Sequence, residues 1–328
     1  MGEFLNGLSA AAHANLLTPA ILFFALGLLA GWARSDLSIP EQVAKTLALY
    51  LMLCIGFKGG VEARASGLSG ELVAAGGLGV ILSFGAPFAA YAVLRTISRL
   101  DKPTAAATAA HYGSVSVVTF AAATEYLRGV GVAFSGHMAA VLALMETPAI
   151  LAALIIAGGA PGAASPPRAQ LLREVLFNGA AVMLVGSFVI GAITGERGMA
   201  RLDVFVNPLF QGALCIFLLD MGLVAARRIA AAPKLQPSLV AFALLWPLLS
   251  ATVALAAAAA LQLSPGDAAL IATLAASASY IAAPAAMRIA LPQADAGVYL
   301  SMSLALTFPF NLLFGIPIYQ AVAQWIAG

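Results

Sequence analysis

Charge is what this sequence has least of. Of its 328 residues, 9% are Asp, Glu, Lys or Arg, whereas 62% are hydrophobic. A water-soluble domain carries about a quarter charged residues. The shortage therefore excludes a soluble multidomain protein, which length alone would allow. A net charge of +2 is too small to attract nucleic acid. The two cysteines, Cys54 and Cys215, lie in apolar stretches without a CxxC or Cys/His neighbour. Both read as packing residues, with no disulfide framework and no metal site expected. Enzyme motifs are missing too: there is no HExxH, GxSxG, Walker A or metal-spaced Cys/His set. The chain is read as no enzyme and as needing no cofactor. Without an ATP site, transport would draw on an ion or substrate gradient. The start "MGEFLNGLSAAAHANLL" lacks a basic n-region and a cleavage site, so no removable signal peptide is expected.

What the chain has in abundance is long apolar runs. A membrane span needs roughly 20 such residues. Runs lie near 16–33, 40–62, 71–98, 103–125 and 130–158, then near 171–194, 204–226, 236–262, 265–290 and 297–326. The stretch "GGAPGAASPPRAQ" separates the two sets. The expected fold is an all-α polytopic membrane protein of ten transmembrane helices. Alternate connections put Arg34, Arg95, Arg99, Lys102, Arg168, Arg173, Arg227, Arg228, Lys234 and Arg288 on one side. Arg64, Arg128, Arg197 and Arg201 fall on the other. The positive-inside rule makes the first side cytoplasmic and places both termini outside the cytoplasm.

The halves match each other at a shift near 162 residues. "LCIGFKGGVEAR" aligns with "LCIFLLDMGLVAAR", placing Gly60 on Gly222. "DKPTAAATAAHYGSVS" aligns with "LSPGDAALIATLAASAS", placing Ser114 on Ser277 and Ser116 on Ser279. "METPAILAALI" aligns with "LTFPFNLLFGI", placing Pro148 on Pro309. Five helices per copy is odd, so the second copy must run the opposite way through the bilayer, the inverted-repeat plan of secondary transporters. The expected division is residues 1–160 for the first repeat, 161–170 for a cytoplasmic linker and 171–328 for the second repeat.

Two hydroxyl clusters interrupt the fourth run of each copy: Gly113, Ser114, Ser116 and Thr119 in the first, Ser277 and Ser279 with Pro284 nearby in the second. They point to discontinuous helices in the fourth span of each repeat. Broken backbone at membrane depth is tolerated where it is buried in protein or lines a cavity. Its half-helix N-termini present free N–H groups and positive partial charge to a small anion. The competing reading is that these small residues only let helices pack closely. Ionisable residues inside a span are costly and so are candidates as well. Lys58 and Asp220 are repeat-equivalent and read either as an intramembrane charge pair or as side chains reaching for the interface. Glu146, beside Thr147-Pro148, reads as a cation ligand, proton acceptor or anchor for the break, and Asn311 as an amide supplied to it. His111 reads as a structural histidine or a proton-coupling group.

Segments "IPEQVAKTLALYLMLCIGFKGGVEAR", "HYGSVSVVTFAAATEYL", "METPAILAALI", "NPLFQGALCIFLLDMGL" and "PAAMRIALPQADAGVYLSMSLALTFPFNLLFGIPIY" carry a resemblance over nearly the whole chain. The chain resembles the sodium-dependent bicarbonate transporter family, SbtA type, as a divergent member. The resemblance implies ten helices in two inverted repeats, a homotrimer in the bacterial inner membrane, and a core domain moving against a gate domain. It also implies bicarbonate as substrate, Na+ as coupling ion, and a site at the two breaks. Ser116, Thr119, Ser277, Ser279 and Pro284 match the family pattern, whereas Tyr280 stands where the family has an acidic residue. That exchange removes a carboxylate ligand for a cation and leaves the Na+ site open. The short central linker leaves control by a PII-like regulatory protein open. Two alternatives stand beside bicarbonate transport: a carrier of a small organic carboxylate, proton-coupled in one version, and a membrane sensor of the same fold that does not transport.

Overall fold

The computed structural model describes residues 15–67, 70–157, 177, 179–231 and 235–327. Among them there are helices, turns and no strand. The helices are α1 (Pro19–Trp32), α2 (Glu41–Ser66), α3 (Gly70–Ile97), α4 (Lys102–Gly113), α5 (Val117–Gly129) and α6 (Met138–Ala157). They continue as α7 (Gly179–Val206), α8 (Pro208–Ala231), α9 (Pro237–Ala260), α10 (Pro265–Ala276), α11 (Ala282–Ala290) and α12 (Ala296–Ala327). The expected 161–170 linker lies outside the described residues, as do Arg168, Arg173 and Lys234.

Among the described residues seven helices, α2, α3, α6, α7, α8, α9 and α12, are long and apolar enough to cross a membrane. The chain is a multi-pass membrane protein. Helix α1, with 14 residues, and α10, with 12, are apolar but shorter. At 1.5 Å per residue, 14 residues reach about 21 Å of a hydrocarbon layer about 30 Å thick.

Local signals explain several starts. Proline stands in the first turn of α1, α4, α9 and α10, where its missing N–H costs nothing. Asp101 caps α4 by accepting from Thr104 N, and Ser264 caps α10 by accepting from Asp267 N. Helix α7 kinks at Gly195, whose φ of 58° suits glycine. There the Arg64 side chain donates to Ala192 O and Ile193 O, satisfying carbonyls near the kink.

Helices α2 and α7 pack along each other, as do α1 and α8. A second body is built from α3 on α4 and α6, α9 on α10, and α10 on α12. In lipid, helix association rests on dispersion rather than on expelling water, so backbones that approach closely hold best. Gly60 and Gly191 bring α2 against α7, and Gly27 and Gly222 bring α1 against α8. A Cβ at Gly60 would fall on the Phe188 carbonyl oxygen, and one at Gly222 on that of Phe24.

Candidate functional site

The fourth apolar run divides into α4 and α5, and the ninth into α10 and α11. Helix α4 stops because Ser114 is extended, at φ −84° and ψ 158°, with its N–H still bonded to Ala110 O at 3.0 Å. Helix α5 restarts behind Ser116, whose hydroxyl accepts from Thr119 N at 3.2 Å and from Thr119 Oγ1 at 2.9 Å. The second break follows the same plan. Ser277 is extended, at φ −78° and ψ 162°, and its hydroxyl donates to Leu274 O at 2.8 Å. Ser279 Oγ accepts from Ala283 N at 3.2 Å, tying down the start of α11.

The two breaks meet. Ser116 N donates to Ser277 Oγ at 2.9 Å, and Ser279 N donates to His111 O at 2.9 Å. Ser116 and Ser279 are the aligned serines, so each break sends the same backbone N–H across to the other. All four serines of the two clusters are buried, as is Thr119. Helix α5 therefore begins at the crossing, with the N–H groups of Val117 and Val118 ahead of the first intrahelical bond, Phe120 N to Ser116 O at 3.0 Å. Such a helix end carries positive partial charge without a cationic side chain.

Other sequence candidates take distinct places. Gly113 serves close packing: a Cβ there would collide with the Pro87 ring and stand 3.1 Å from the Ala149 Cβ. Ser114 Oγ reaches Glu146 O at 3.4 Å, so the backbone of Glu146 adjoins the first break. The Glu146 carboxylate is buried and has no hydrogen bond among the described residues. Asn311, fully buried, donates from Nδ2 to Ala276 O at 2.9 Å and accepts at Oδ1 from Tyr319 OH at 2.7 Å. This amide holds the carbonyl that ends α10. The Tyr280 hydroxyl is buried without a hydrogen-bond partner among the described residues. Its ring meets Phe308 edge-on at 5.3 Å, and Phe308 meets Phe24 of α1 at 5.7 Å. His111 uses Nδ1 on Ala107 O at 2.6 Å and stacks on Tyr299 at 4.3 Å, leaving Nε2 buried without a partner among the described residues.

Lys58 and Asp220 are both buried, and no salt bridge joins them among the described residues. The Lys58 ammonium instead lies over the Phe210 ring, 4.2 Å from its centre.

Sequence reasoning passed over three groups. Tyr112 OH and Thr307 Oγ1 are 2.7 Å apart, and Thr307 Oγ1 donates to Ala243 O at 2.7 Å, fastening α4 and α9 to α12. Asn15 donates to Leu312 O at 2.9 Å, where α12 widens into π-turns at Ser301–Thr307 and Asn311–Gly315. Asp267 accepts from Ser135 N and Ser135 Oγ, each at 2.7 Å. Tyr112 carried a signal by adjoining Gly113. Asn15 and Asp267 carried none, because their partners lie 297 and 132 residues away.

An all-helical, multi-pass membrane protein with two interrupted helices crossing in its interior is the class these features define. Within that class the chain belongs to the Na+-dependent bicarbonate transporter superfamily, whose family model matches residues 19–324. No curated protein matches the chain.

Proposed function

We propose that the protein is a secondary transporter of a small monovalent anion, with bicarbonate the first substrate, working by alternating access. The reciprocal bonds between the breaks, Ser116 N to Ser277 Oγ and Ser279 N to His111 O, carry this reading. Each break reaches the other through the N–H of one of the two aligned serines, Ser116 and Ser279, which fits the inverted-repeat plan. On this reading α4 with α5 and α10 with α11 each form one broken span, and α1 completes a count of ten. Equivalent helices also pack equivalently: α1 on α8 mirrors α7 on α2. The body of α1, α2, α7 and α8 is then the gate, and the remaining helices are the core that moves against it. Substrate would meet the starts of α5 and α11, with Ser116, Thr119, Ser277 and Ser279 shaping the site once the cross-bonds part.

Bicarbonate entering alone moves a negative charge against an inside-negative potential, at about 2.3 kcal/mol per 100 mV. Accumulation thus needs a coupling cation, and Na+ is the one that the family description supports. The test is uptake of labelled bicarbonate into proteoliposomes, with and without an inward Na+ gradient. Na+-dependent accumulation supports the reading. No accumulation by folded protein in either condition refutes bicarbonate transport. A second reading, a small organic carboxylate, is favoured by the apolar groups at the breaks: Val117, Val118, Tyr280 and Phe308.

A further inference from the structure

Helices α2 and α7 of one body face α3 and α6 of the other across a groove with about 1050 Å³ of free space. Its walls are bare because the residues that form them are small. Helix α3 presents Gly76 and Gly77, α6 presents Ala143, and α7 presents Ala192. A Cβ added at Gly77 would meet nothing within 4 Å, so neighbouring helices leave this space unfilled. Along α3 the lining runs from Leu72 to Ile81, about 13 Å at 1.5 Å per residue. That is close to half of a hydrocarbon layer about 30 Å thick, the depth of one leaflet. Val73 and Ile81, also on the lining, are 72% and 69% exposed, so the groove opens outward toward lipid.

Apolar walls offer water no hydrogen bonds, and walls left without any neighbour forfeit their dispersion contacts. At membrane depth, hydrocarbon is what fills such a space. The one charged side chain among the described lining residues is Arg64, two residues before the end of α2. It is exposed, and its Nη1 donates to Ala192 O and Ile193 O. It forms no salt bridge among the described residues, although Glu71 begins α3 and Glu196 follows the α7 kink. The N–H groups on Nε and Nη2 are therefore available to a phosphate, which a guanidinium binds through paired hydrogen bonds.

We infer that this groove is a phospholipid site, with one acyl chain lying between the two bodies and the lipid phosphate against Arg64. The chain then touches both bodies at once, and it favours the arrangement in which the groove is present. The test reads bound lipid rather than bicarbonate, so it stands or falls apart from the transport reading.

Wild type, Gly77→Phe, Arg64→Gln and Arg64→Lys are purified full-length and washed in detergent. Each is then titrated with phosphatidylglycerol or with a digalactosyl lipid of the same acyl chains, which has no phosphate. Retained lipid is counted by native mass spectrometry, and thermal unfolding is followed in parallel. Wild type is expected to hold phosphatidylglycerol more tightly than the sugar lipid. Gly77→Phe, whose ring fills the groove, is expected to fold and to lose that retention. Arg64→Gln is expected to bind phosphatidylglycerol about tenfold more weakly, equivalent to about 1.4 kcal/mol, and Arg64→Lys to keep part of the difference. Equal retention by wild type and Gly77→Phe overturns the inference, because the lipid then sits elsewhere on the surface. Equal retention of the two lipids by wild type overturns it too. If a second copy of the chain fills the groove instead, Gly77→Phe changes the oligomeric state and leaves lipid retention as it was. Should Arg64→Gln not fold, Gly77→Phe and the two lipids still decide the matter.

Discussion

Replacing Asn311 with Ala tests how the second break is held. The wild-type side chain is fully buried and makes two bonds, to Ala276 O at 2.9 Å and from Tyr319 OH at 2.7 Å. Ala276 ends α10, so its carbonyl has no partner further along the helix. Truncation removes two bonds, each worth about 1 kcal/mol, and orphans a buried carbonyl and a buried phenol at about 1–3 kcal/mol each. A water admitted to the vacated space offsets part of this. The expected net loss is about 3 kcal/mol. Tyr319→Phe removes the phenol that would otherwise be stranded, so the double variant should be more stable than the two single losses added together. The coupling should be about 1 kcal/mol or more. Thermal unfolding of the four proteins in one detergent measures this, and bicarbonate uptake at matched protein density reports on the site. Because Ala276 directly precedes Ser277, uptake by Asn311→Ala should also fall. An Asn311→Ala melt equal to wild type, or strictly additive single and double variants, would refute this account of the break.

The packing of α1 on α8 makes Gly222→Ala destabilising by about 2–3 kcal/mol, since its Cβ meets the backbone of Phe24 and Leu28. Gly77→Ala, with nothing within 4 Å of the new methyl, should fold as wild type, and the yield of monodisperse protein compares the two. Asp267→Ala strands the N–H and hydroxyl of Ser135 and should cost about 3 kcal/mol, read as a lower melting temperature. Tyr280→Phe removes a buried hydroxyl that lacks a partner among the described residues. Its melt should hold or rise while uptake falls. Unchanged uptake would remove Tyr280 from the substrate path.

Much of the architecture is legible along the chain, for a physical reason. In a bilayer each backbone group must find its partner within its own helix or an enclosed break. Apolar runs therefore map onto helices, and a Gly/Ser cluster marks where a helix can stop. The interruptions after Gly113 and after Ala276 fall at such clusters. The lengths were less legible. Apolar composition does not distinguish a helix that crosses from the 12-residue halves α4 and α10, and the kink at Gly195 leaves no mark in hydropathy.

Within the site, sequence alone determined which residues could be polar at depth: the serines of both breaks, Glu146, Asn311, Lys58 and Asp220. Only the tertiary structure decided what each one touches. Gly113 reads as part of the first break, and the structure sets its missing side chain against Pro87 of another helix. Repeat equivalence suggested that Lys58 pairs with Asp220, but the ammonium lies on the Phe210 ring. Ser116 and Ser277 stand 161 residues apart and share a hydrogen bond. Helix and break are properties of neighbours in the chain, set by solvent and local geometry. Which broken end meets which depends on how whole helices pack, and residue spacing carries no term for that.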